Sequence, residues 1–336
     1  MECAAHGTGS GGPCAGGPLR RALRGDPEMK NCGSLRRRLG WSFAAAGLAA
    51  GVALAQDYGD SPYVPTPQSV VDKMLEVASV GPNDFVVDLG SGDGRIVITA
   101  AKKFGARGFG VDIDPRLVER SKKLAAQAGV AKRAAFYARD LYQTDVSRAT
   151  VLTMYLLPEV VLMVRPKLLA ELKPGARIVS HDYDLGEWQP DFQIEVDAPD
   201  KPVGLKKTSK ILYWVVPASA AGRWRWELGL DGGPAPFELS LDQQFQKLNG
   251  RLTVSGQGMA IENGVLAGER IGFAAASGSG AAAVRYEFSG RIAGDAIKGT
   301  VRVVRGAQSQ EIGWSAARVE AWPPRHTDAP APQVAK

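Results

Sequence analysis

Val86-Val87-Asp88-Leu89-Gly90-Ser91-Gly92-Asp93-Gly94-Arg95 is a hydrophobic run that passes through three alternating glycines into a helical pattern. The apolar run reads as a buried strand, and the glycines let the backbone bend sharply and approach a ligand. The helix that follows presents free N–H groups at its start, so an anionic or carboxylate-bearing group is expected there. A ligand-free tight turn is the competing reading of the loop alone. The spacing is D-x-G-x-G-x-G, with a carboxylate two residues before the first glycine, whereas a dinucleotide fingerprint is spaced G-x-G-x-x-G. An acid beside the loop repels a pyrophosphate and suits a cationic amino-acid ligand.

The ammonium and sulfonium charges of S-adenosylmethionine fit that description, with Asp88 and Asp93 as charge partners and the cofactor carboxylate at the helix N-terminus. The next strand ends Gly110-Val111-Asp112-Ile113, which puts Asp112 24 residues after Asp88, where a carboxylate accepts both ribose hydroxyls. The third ends Ala138-Arg139-Asp140-Leu141, where Asp140 can accept from an adenine amine and the Leu141 N–H can donate to a ring nitrogen. Ligands of open α/β sheets bind at the carboxyl ends of strands, and these three acids occupy three successive ends. The expected cofactor contacts are therefore Asp88, Gly90, Ser91, Gly92, Asp93, Gly94, Asp112, Ile113, Asp140 and Leu141. Asp114 reads as the cap of a helix starting at Pro115, and Arg95 as a local ion-pair partner.

Outward from this loop, residues 56–217 alternate short β-branched runs with amphipathic stretches, an α/β pattern with a mostly parallel sheet. Strands are expected at 85–89, 108–113, 135–139, 150–156, 177–181 and 211–216. Helices are expected at 95–104, 115–128 and 158–172, and another capped by Thr66, with Val70, Val71, Met74, Leu75 and Ala78 as its apolar stripe. Residues 218–222 read as a linker of small residues. In 223–320 glycine is frequent and no long helical stripe occurs. Gly264–Ile271 recurs as Gly290–Ile297, each copy two strands around a Gly-acid turn. Alternating apolar positions, among them Leu239, Leu241, Phe245, Leu248, Phe273 and Phe288, predict a small antiparallel β sandwich or barrel with Trp224, Trp226 and Trp314 as core or rim aromatics. Residues 321–336 read as a disordered tail.

Together with Pro62-Tyr63-Val64-Pro65-Thr66-Pro67 and Arg139-Asp140-Leu141, the Asp88–Ile96 motif makes residues 61–216 resemble a class I S-adenosylmethionine-dependent methyltransferase. More narrowly, they resemble the family of the ATP synthase c-subunit and adenine nucleotide translocase lysine methyltransferases and their bacterial relatives. The resemblance implies a Rossmann-like seven-stranded methyltransferase sheet, with Asp88 and the Gly90–Gly94 loop at the methionine moiety, Asp112 at the ribose and Asp140 at the adenine. It also implies that Tyr63 to Thr66 close over the cofactor. After the fourth strand comes Met154-Tyr155-Leu156-Leu157-Pro158-Glu159, without a diagnostic amide- or amine-binding signature. The acceptor is thus a protein lysine or a small molecule. Transfer from a sulfonium needs alignment more than acid–base machinery. A lysine must first lose its proton, and Tyr155, Glu159, His181 and Asp182 stand at strand ends where they could assist, with Tyr155, His181 and Asp182 as the catalytic candidates.

The net charge of +6 does not support a nucleic-acid partner, because residues 1–55 hold seven basic and three acidic residues and the remainder carries only +2. Cys3, Cys14 and Cys32 all lie in that segment, which removes thiol chemistry from the body, and no metal site is expected. Met29 reads as a start, followed by Arg36-Arg37-Arg38, an uncharged run to Leu54, and an A-x-A site at Ala53–Ala55. That is a signal peptide, making the protein exported, periplasmic or extracellular, and attached to a membrane only if the segment stays uncleaved. Export conflicts with a cytoplasmic methyl donor, which keeps open a non-catalytic extracytoplasmic ligand-binding module on the same fold. An NAD-dependent oxidoreductase is disfavoured by the loop spacing.

Overall fold

The structure is a computed structural model that describes residues 63–230, 232–279 and 283–323; the expected export signal and residues 324–336 of the expected tail lie outside them. No helix among the described residues is long and apolar enough to cross a membrane.

The chain begins with a segment at 63–67 and helix α1 (Gln68–Val77), then alternates β1 (Phe85–Leu89), α2 (Arg95–Lys103), β2 (Arg107–Asp112), α3 (Pro115–Gln127), β3 (Ala134–Ala138), β4 (Val151–Met154), α4 (Pro158–Glu171) and β5 (Arg177–His181). Two further strands, β6 (Phe192–Asp197) and β7 (Thr208–Val215), complete a seven-stranded sheet in the order β3-β2-β1-β4-β5-β7-β6. The first five run parallel, and β7 lies antiparallel to both neighbours. Central strands are buried on both faces, which is why they read as apolar runs. Val86, Val151 and Val179 face α1 and α2, whereas Val87, Leu152 and Ile178 face α4.

Helix starts follow local chemistry. Asp114 caps α3 by accepting the Arg116 N–H at 2.8 Å, as its position before Pro115 predicts. The expected Thr66 cap is corrected: Pro67 occupies the N-cap of α1 with no side-chain hydrogen bond, and the Thr66 hydroxyl is spent on His181 instead. The β6 strand has no counterpart among the strands expected from the sequence, because it is a sheet edge whose alternate residues Gln193, Glu195 and Asp197 are exposed. Edge strands carry charge and little apolar signal.

The second layer is a closed antiparallel barrel of eight strands, β8 (Gly222–Leu230), β9 (Gly233–Gln244), β10 (Lys247–Val254), β11 (Gln257–Ala267), β12 (Arg270–Ser277), β13 (Val284–Ala293), β14 (Ala296–Arg305) and β15 (Gln308–Ala321). It is a continuous meander, and pairing of β15 with β8 closes it. Both copies of the repeated motif are hairpins, turning at Gly268-Glu269 and Gly294-Asp295 with left-handed glycines. Trp224, Trp226, Phe237, Phe273, Phe288 and Trp314 fill the interior. Phe245 departs from the expected barrel pattern. It sits on the β9–β10 turn and stacks on Trp188 of the sheet layer, with ring centroids 5.7 Å apart and ring planes nearly parallel. The presumed linker is built in as well: Ala218, Ala220 and Ala221 are buried, and Gln243 bonds Ala218 and Ala220 through their backbone.

Candidate functional site

The glycine loop is shaped by contacts that only glycine permits. Gly90, Gly92 and Gly94 have φ of 73°, 54° and 78°. A Cβ on Gly92 would stand 2.5 Å from the Tyr63 ring, and one on Gly94 2.6 Å from Phe136. The Gly90 and Ser91 N–H groups both donate to Val111 O, which ties the loop to the neighbouring strand. Asp112 organises the same edge: Oδ2 accepts from Gly92 N at 2.8 Å and Oδ1 from Asp114 N at 3.0 Å. Each carboxylate oxygen keeps acceptor capacity for a further donor, as a ribose diol requires. Arg139 N donates to Asp112 O, placing Asp140 at the adjoining strand end, where its Oδ1 accepts from Tyr142 N.

Asp88 is buried beneath this loop. Its register partner on β4 is Thr153, whose hydroxyl donates to Asp88 Oδ1 at 2.7 Å. Burial pushes the Asp88 carboxyl up to about 7 against the pull of the Thr153 bond, and the other charges acting on it, Asp112 and Asp93, are of its own sign. Such a group is costly unless a cation reaches it. Ser91 Oγ is also buried and has no hydrogen-bond partner, while Ile113 stands exposed beside Asp112. A cation-hungry carboxylate, an orphaned hydroxyl, a diol acceptor and an unburied apolar side chain along one strand edge fit S-adenosylmethionine.

Asp93 is placed differently. Arg95 takes both of its oxygens, Nε to Oδ1 at 2.9 Å and Nη2 to Oδ2 at 2.8 Å, and Arg120 adds an ion pair at 3.8 Å. These partners hold the Asp93 carboxyl below its usual range despite burial. The local Arg95 pairing expected from sequence is thus what the structure has, and Arg95 Nη1 also donates to Thr66 O at 2.7 Å.

On the other side of the loop, the ends of β4 and β5 carry aromatic rings. Tyr155 lies 3.9 Å from His181 between ring centroids, and Tyr183 is stacked at 6.2 Å from Tyr155 with 12° between planes. Burial, then the charges of Asp182 and Tyr183, push the Tyr155 hydroxyl up to about 12. His181 is fully enclosed, its Nδ1 3.1 Å from Thr66 Oγ1 and its Nε2 2.9 Å from Ser209 Oγ. Burial pulls its pKa down to about 4, so it is neutral at physiological pH. Asp182, with φ of 64°, pairs with Lys201 at 2.6 Å and accepts the Lys210 N–H. Glu159 stands exposed in the first turn of α4. Thr153, Tyr183 and Ser209 carry no signal in the sequence. Each matters through cross-strand register or stacking, which no spacing along the chain encodes.

The family described as "ANTKMT methyltransferase domain" matches residues 88–192, from Asp88 to the start of β6. A protein-lysine N-methyltransferase of Saccharolobus islandicus is 46% identical over 137 residues, covering 40% of this chain and 85% of the relative. The ATP synthase c-subunit lysine N-methyltransferase of Xenopus laevis is 35% identical over 130 residues, covering 39% of this chain and 57% of the relative, so the match spans little more than half of that protein. Among solved structures, an RNA methyltransferase from Salinibacter ruber in complex with S-adenosylhomocysteine is 49% identical, covers 45% of this chain and 93% of its own, and has a TM-score of 0.41. The sheet layer, its D-x-G-x-G-x-G loop and the Saccharolobus islandicus relative agree: the chain belongs to this family of S-adenosylmethionine-dependent methyltransferases.

Proposed function

We propose that the acceptor is a protein lysine, and that the Tyr155–Tyr183 wall receives its side chain. The observation that carries this reading is the pair of stacked rings at the ends of β4 and β5, beside the glycine loop. The kinship with a named protein-lysine N-methyltransferase supports it. An alkylammonium stem packs on aromatic faces, and a cation is attracted to them.

S-adenosylmethionine, when bound, supplies a methyl on a sulfonium: the amine lone pair forms the N–C bond as the S–C bond breaks, leaving S-adenosylhomocysteine and one proton to be released from nitrogen. Asp88 answers the positive charge of the donor, Asp112 holds the ribose, and Asp140 with Leu141 reads the adenine. Ser91, Ile113 and the Gly90–Gly94 loop complete the cofactor cradle. Tyr155 keeps its proton at neutral pH and therefore orients the amine rather than accepting its proton. His181, neutral with both ring nitrogens occupied, acts in positioning. The lysine loses its proton to solvent through desolvation against the wall, while Asp182 stays engaged with Lys201 and the Lys210 N–H, and alignment supplies most of the rate.

The test is transfer of a labelled methyl group from S-adenosylmethionine to three substrates: polylysine, a denatured protein extract with free or acetylated lysines, and RNA from the same cells. Labelling of polylysine and of the unblocked extract, lost on acetylation, is the expected result. Label in RNA alone, or equal label in acetylated protein, overturns the lysine reading. Tyr155→Ala is expected to lower transfer by roughly 10²-fold through lost alignment while cofactor binding persists.

A further inference from the structure

Thr66 stands where two hydrogen-bonded groups meet. Its carbonyl is held by Arg95, which is locked in turn to Asp93 of the glycine loop. Tyr63, three residues earlier on the same segment, packs its ring over Gly92 of that loop. The segment at 63–67 is therefore fastened to the cofactor loop at two points. The Thr66 hydroxyl faces the other way, to His181 Nδ1 at 3.1 Å, and the opposite ring nitrogen meets Ser209 Oγ at 2.9 Å. An imidazole pinned through both nitrogens cannot turn, and its face is the surface on which the Tyr155 ring rests, 3.9 Å away. Thr66 and His181 are both buried, and a broken hydrogen bond there leaves an unsatisfied group at appreciable cost. Movement of the loop must therefore be passed on rather than absorbed.

We propose that Thr66 is a positioning residue that transmits the state of the glycine loop, through His181, to the acceptor-side ring of Tyr155. The route runs Asp93, Arg95, Thr66, His181, Tyr155, and it rests on the reading of Tyr155 as part of the acceptor wall. Its use is to make the wall adopt its working geometry when the methyl donor is in place. Arg95 is the fastening on the cofactor side and His181 the rigid middle member.

Three histidines, His6, His181 and His326, make the relay observable in the full chain labelled with 15N-histidine, because a His181→Gln spectrum identifies the His181 ring signals by their loss. S-adenosylhomocysteine is the ligand, with its binding followed by calorimetry on the same samples. The wild-type His181 signals are expected to move on binding. In Thr66→Val, which keeps shape and removes the hydroxyl, that movement, compared at saturating ligand, should fall by at least about half, and Thr66→Ser should restore it. Bound ligand with unmoved His181 signals, or a Thr66→Val response equal to wild type, overturns the proposal. If Thr66→Val does not fold, Arg95→Lys, which releases the Thr66 carbonyl, replaces it: the His181 response at saturating ligand should again fall by at least about half, and a response equal to wild type there also overturns the Thr66 route. A relay that responds in a protein that labels no lysine would stand while the lysine reading falls.

Discussion

The sheet layer and the barrel bury their side chains on opposite principles. Every buried polar or charged residue among the described ones, from Thr66 and Asp88 to His181 and Ser209, lies in the sheet layer, apart from Gln243 and Gln246. Those two glutamines are contacts between the layers: Gln243 holds the 218–220 backbone, and Gln246 donates to Gln189 O at 2.7 Å. The barrel interior is aromatic and aliphatic, with Trp226 packed among Phe237, Phe288 and Trp314. Buried polar groups cost stability unless partnered, so they persist where a ligand uses them. The sheet layer thus carries the chemistry, and the barrel is a packed body whose glutamines fix it to the sheet.

The sharpest way to break this contrast is at the barrel core. Trp226→Ala should cost about 3–5 kcal/mol of stability, read by denaturant unfolding, and leave the cofactor affinity of the folded fraction unchanged. A large loss of affinity in folded protein would show that the barrel takes part in the site.

Asp88→Asn probes the opposite principle. Because the folded-state pKa of Asp88 is raised, the folded protein binds more protons than the unfolded chain between about pH 4 and 7, so this group makes the ligand-free protein less stable as pH rises through that window. At pH 8 the penalty is up to about 4 kcal/mol, and Asp88→Asn should recover part of it as a higher Tm while weakening S-adenosylmethionine binding. For the wild type, affinity should fall by up to roughly tenfold per pH unit below 7, since the protonated carboxyl must lose its proton to meet a cation. A flat affinity profile from pH 5.5 to 8 would remove Asp88 from the cofactor site.

Gln243→Leu is expected to have the smallest effect. It strands Ala220 N–H and two carbonyls, which should cost about 1–3 kcal/mol without altering the cofactor site.

The same contrast explains what is legible in the sequence. Apolar alternation, the D-x-G-x-G-x-G spacing and acids at three strand ends are local signals, and they locate the parallel strands, the helices and the cofactor edge. Thr66 reads as a helix cap because its partner, His181, is 115 residues away. Phe245 reads as a barrel position because alternation says nothing about a turn that reaches into the other layer. Barrel closure is equally hidden: sandwich and barrel share their hairpins, and the β15–β8 pairing depends on strand tilt and stagger summed around the whole sheet.

The central claim, that the glycine loop and the strand ends beside it form a working cofactor site, is tested most directly by calorimetric titration of the full chain and of Asp112→Ala with S-adenosylmethionine. Stoichiometric binding to the wild type, weakened at least about 30-fold in Asp112→Ala by loss of charge-assisted bonds, is the predicted result. Absence of binding by a folded wild-type chain, or equal affinity in the two proteins, would contradict it.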